Sequence, residues 1–116
     1  MDSPEEATKR LEILWQEHLF ARFPPNLLGV SINGGDLVLL DSSLVGCISV
    51  YMKTGALDLW RTSLIGLNYR EAFDIARVLD KEGAKYFWRL GKMGEIVLRL
   101  IVENERESQQ QRERSS

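Results

Sequence analysis

Asn33-Gly34-Gly35 lies between the apolar runs Leu27-Leu28-Gly29-Val30-Ser31-Ile32 and Asp36-Leu37-Val38-Leu39-Leu40, and there the chain leaves helical spacing and reverses. A two-residue Asn-Gly turn needs positive φ at both central positions, which these residue types tolerate at low cost. Flanked by apolar runs it is a strong local hairpin pattern. The expected strands are about 28–32 and 36–40. Two strands alone are marginal in water, so the ribbon must pack on helices or pair with another strand.

The rest of the chain has mainly helical periodicity. Ser3, Pro4 and Glu6 form a capping box with proline in the first turn, opening a helix expected over residues 4–22 that ends at Phe23-Pro24-Pro25. Its apolar stripe is Ala7, Leu11, Leu14, Trp15, His18 and Leu19. Leu44, Cys47, Ile48, Tyr51 and Met52 keep helical spacing, with Asp41, Ser42 or Ser43 as the expected cap and Gly55 at the expected end. Val45, Gly46 and Val50 leave a strand alternative, in which 43–52 and 56–65 pair across Lys53-Thr54-Gly55 and complete a four-stranded meander. From Leu57 onward Trp60, Leu64 and Leu67 favour a long helix, with a kink or restart near Gly66 to Asn68, where Asn68 to Glu71 resembles a second capping box.

The last helix is expected over 84–106, with Lys85, Arg89, Lys92, Glu95, Arg99, Glu103 and Arg106 on one charged stripe and apolar residues nearly everywhere else. One narrow polar stripe means cover on more than one side. Gly91 and Gly94 share the spacing of a nucleotide-clamping GxxG loop, but inside a helical pattern they are better explained as a close-approach surface for another helix. The expected architecture is therefore α+β and predominantly helical: an N-terminal helix, one hairpin and three helices forming a small bundle. The alternative is an α-β4-α-α chain. Residues 1–106 form a single globular domain, and the Glu-, Gln-, Arg- and Ser-rich segment 107–116 reads as a disordered or fraying polar tail.

Composition narrows the function classes. Fifteen Lys and Arg against seventeen Asp and Glu, a net charge of −2, give no field for steering nucleic acid, so no nucleic-acid partner is expected. The single cysteine and the acidic N-terminal segment fit a reducing cytoplasm, and no uninterrupted apolar run reaches the roughly 20 residues of a spanning helix, so membrane insertion is not expected. One histidine and one cysteine provide too few ligands for a structural zinc site and only one candidate nucleophilic pair, Cys47 with His18. Cys47 falls at an apolar core position, and Asp41 and Asp58 fit capping roles. No catalytic residues, cofactor or metal are assigned.

Two expectations for function follow. The first is a small non-enzymatic interaction or regulatory protein, acting as a homodimer or through a protein partner. The second is a helical module that holds a small molecule between tryptophan walls. Candidates for the interface or pocket are Trp15, His18, Trp60, Tyr86, Trp88 and Met93. Tryptophan and tyrosine combine large apolar area with a polar tip, which suits pocket rims and interfaces. His18 is either a pH-responsive group or a boundary histidine satisfied by a backbone carbonyl.

Overall fold

A computed structural model describes residues 3–115. Helix α1 spans Pro4–Phe20, a single 3-10 turn follows at Pro25–Leu27, and β1 (Ser31–Ile32) pairs antiparallel with β2 (Gly35–Asp36). Then come α2 (Leu37–Thr54), α3 (Leu59–Ala76) and α4 (Lys81–Ser115). The fold is α+β and mostly helical, as the periodicity indicates.

Ser3 Oγ accepts from Glu6 N, with Pro4 in the first turn, so the capping box forms. Ile32 faces Gly35 across the turn, and Asn33 and Gly34 hold φ of 54° and 81°, the double positive φ that a type I′ turn demands. Gly55 ends α2 in the left-handed region at φ 74°, and Asp58 caps α3 through Arg61 N.

The second strand is shorter than expected. Residues 37–40 belong to α2, because Asp36 Oδ1 accepts from Val38 N and Leu39 N and so starts a helix immediately after the turn. Leu37, Leu40, Leu44 and Ile48 then fall on one buried helical stripe, which alternating strand geometry would have split between two faces. Asp36 is thus the cap of α2, in place of Asp41, Ser42 or Ser43. The four-stranded meander does not form, since 43–52 and 59–65 are helical, and with two-residue strands the hairpin presents almost no open edge.

Helix α3 runs unbroken through Gly66 to Asn68, without the expected restart. Helix α4 begins at Lys81, with Asp80 Oδ1 accepting from Gly83 N, and continues as helix through 107–115. Glu, Gln and Arg are good helix formers, and no glycine or proline interrupts that stretch. The extension is exposed, and it stretches the molecule to 56 Å against widths of 26 and 24 Å.

Helix α4 is the central element. It packs most extensively on α3, then on α1 and α2, which explains its nearly all-round apolar sequence. A Cβ at Gly91 would stand 3.0 Å from the Tyr69 carbonyl oxygen, and one at Gly94 would stand 2.9 Å from Tyr69 Cβ. Both glycines therefore serve as the contact surface for α3. Phe87, Leu90, Met93 and Val97 of α4 fill the core with Leu11, Leu44, Ile48, Ile65 and Ile75.

Candidate functional site

The charged stripe expected on α4 is not uniformly solvated. Arg89 is 7% exposed and His18 6%, as buried as the neighbouring Tyr86 at 7%. They meet. Arg89 Nε donates to His18 Nδ1 at 3.0 Å, fixing His18 as an acceptor at that nitrogen and leaving its own proton on Nε2. That nitrogen points toward Asp41 Oδ1 at 3.5 Å, too long for a hydrogen bond, and it has no other partner. The same carboxylate oxygen accepts from the Tyr86 hydroxyl at 2.9 Å.

The Tyr86 ring links these groups. It lies 4.6 Å from the His18 ring, with the Arg89 guanidinium 5.4 Å from its centroid, while Phe23 packs edge-on at 5.4 Å. Burial pushes the Tyr86 hydroxyl well above its usual pKa, and the Asp41 charge adds to that rise. Burial also lowers the Arg89 pKa, opposed first by Glu17 and then by Tyr86 and Asp41. Arginine nonetheless stays charged at neutral pH.

The cluster joins α1 through His18, α2 through Asp41 and α4 through Tyr86 and Arg89. An Asp–His pair suggests acid–base chemistry, but the hydroxyl of the adjacent Tyr86 donates to Asp41 and not to the imidazole. Cys47 lies elsewhere on α2, where the charges acting on it are Arg61 and Asp58. It is buried, and burial raises its pKa, the condition of an unreactive thiol. No group of three or more His, Cys, Asp or Glu side chains suited to a metal occurs among the described residues.

The six sequence candidates divide into three sets. His18 and Tyr86 come together in the buried cluster. Met93 is fully enclosed in the core, which removes it from any surface. Trp15 is half-buried against the core, Trp88 packs near Phe73 with ring centroids 6.5 Å apart, and Trp60 stands in solvent. The three tryptophans are on three different helices and do not wall a common cleft. Asp41 and Arg89 were missed as site residues. Asp41 has the spacing of a cap and Arg89 fits the solvated stripe, and nothing local marks either as buried.

A second candidate surface lies on the outer side of α3. Leu59, Trp60 and Leu67 are 83%, 72% and 74% exposed, with Ser63 and Leu64 between them at helical spacing. Beside α3, α2 has a mean hydropathy of 1.4 over Leu37–Thr54, with only 28% of that span buried. By length and composition alone this helix could cross a membrane, although Asp41, Ser42, Ser43 and Ser49 interrupt it. No protein-family model matches the chain, and no curated protein or solved structure matches it.

Proposed function

We propose that this is a non-enzymatic interaction protein of the cytoplasm that works as a homodimer through the outer face of α3. The observation that carries it is the exposure of Leu59, Trp60 and Leu67 within three turns of one helix. Large apolar side chains clustered on one exposed helix face mark association sites, and tryptophan is prominent among residues that dominate binding energy. A twofold axis passing near Ser63 and Leu64, with the two α3 helices antiparallel, sets Trp60 of each protomer against the partner's Leu67. The open apolar surface of α2 adjoins this contact and adds to the buried area. The buried cluster of His18, Asp41, Tyr86 and Arg89 fits a structural role, because its groups bond to one another across α1, α2 and α4.

Size-exclusion chromatography with light scattering tests the assembly. The expected mass is twice the 13.3 kDa of the chain. Trp60→Ser with Leu67→Ser returns it to one chain, whereas Ile13→Ser, an exposed apolar change on α1, does not. Ser63→Cys is expected to give a disulfide-linked dimer under oxidation. A single-chain mass at every accessible concentration overturns the homodimer.

A further inference from the structure

Arg89 is more than nine-tenths buried, yet only one guanidinium nitrogen is engaged. Nε donates to His18, and the two terminal nitrogens have no hydrogen-bond partner among the described residues. Guanidinium N–H groups that no protein acceptor takes up are free to meet an incoming one. These nitrogens are not sealed in: the enclosed polar atoms without partners are His18 Nε2 and Glu103 Oε2. Arg89 instead lines a cleft of about 360 Å³ between the end of α1 and the start of α4.

Arg22 and Lys85 line the same cleft, and neither has an ion-pair partner among the described residues. Glu82 is the one carboxylate in the lining, against three cations. Glu17 and Asp41 also act on the Arg89 guanidinium, from α1 and α2. Ala21, Pro24 and Pro25 add an apolar wall. The Tyr86 ring and the Arg89–His18 bond hold the guanidinium at the cleft, so it needs little reorganisation to bind.

We infer that this cleft binds a small soluble phosphate monoester, the Arg89 fork taking two phosphate oxygens, Arg22 and Lys85 neutralising the charge, and a compact organic group lying on the proline wall. A phosphate monoester carries about −1.5 to −2 charge near neutral pH, so each of the three cations of the lining has an oxygen to meet. The planar guanidinium fork complements phosphate geometry.

Isothermal titration of the full chain with phenyl phosphate, at pH near 7.5 and low salt, tests the site. Saturable one-to-one binding is expected, with a Kd of roughly 10 μM to 1 mM, and weaker binding of inorganic phosphate, which lacks the organic group. Arg22→Ser with Lys85→Gln alters only exposed side chains, so the melting temperature holds while affinity falls by about tenfold or more. Arg89→Lys keeps a charge, loses the fork and is expected to abolish binding. The inference fails if phenyl phosphate gives no saturable heat up to about 10 mM. It fails equally if the double variant binds as the parent does, or if only vesicles containing phosphatidic acid bind.

Discussion

Buried polar side chains carry the largest consequences for single substitutions in this protein. Tyr86 donates to Asp41 and stacks against His18, Arg89 and Phe23, so its hydroxyl cannot be removed without leaving Asp41 short of a donor. Tyr86→Phe is expected to cost about 1 kcal/mol at neutral pH. The difference shrinks with alkalinity. The folded-state pKa of Tyr86 is raised above the ordinary 10.0, chiefly by burial, so the folded protein holds this proton after the unfolded chain has released it. The stability linked to it is fully present below pH 10 and falls as pH rises beyond that value. Urea denaturation at pH 7 and about 11 should therefore show the gap between parent and Tyr86→Phe narrowing as pH rises. A gap that stays constant would mean that the hydroxyl does not titrate differently in the two states. The buried pair itself was not legible in the sequence: His18 sits on an apolar stripe, but its partner Arg89 lies 71 residues away on a stripe that looks solvated.

Helix pairing depends on where glycine stands. Gly94 meets Tyr69 where α3 crosses α4, and a Cβ there would approach to 2.9 Å, closer than carbon atoms pack. Gly46 on α2 has nothing within 4 Å and is exposed. The same substitution should then have opposite signs at the two sites. Gly94→Ala is expected to destabilise by about 1–3 kcal/mol through overpacking, and Gly46→Ala to stabilise by about 0.5–1 kcal/mol through helix propensity and a less free unfolded chain. Thermal melts of the two variants beside the parent check both. The role of Gly91 and Gly94 was legible, because two small residues inside an otherwise bulky apolar helix leave few explanations. The start of α2 was not: Leu37-Val38-Leu39-Leu40 satisfies both periods in so short a run, and only the Asp36 side chain's bonds to the helix start decide the case.

At the scale of the whole molecule, one long helix organises three others and then runs past them. Residues 107–115 continue α4 as exposed helix and add nothing to the core. Deleting residues 107–116 is expected to shift the melting temperature by no more than about 2 °C, with helical signal in circular dichroism falling in proportion to the residues removed. A larger fall would show that the extension packs, for instance against a second copy. The three exposed apolar side chains of α3 and the cationic cleft beside α4 lie on different elements. The dimer and the phosphate site can therefore be lost separately by surface variants.

The sequence by itself determined the local events: the Asn33-Gly34 reversal, the caps at Ser3 and Asp58, the glycine stop at Gly55, the apolar stripes and the close-approach glycines of α4. Each depends on the φ preference or capping chemistry of a few adjacent residues, or on a period repeated along one helix. Tertiary structure alone decided which charged residue of α4 would be buried, and that Asp41 would face His18 and Tyr86. Those outcomes depend on the packing of α1, α2 and α4 around one another. Burial and long-range polar pairing are properties of that assembly, and neither has a signature in the spacing of neighbouring residues.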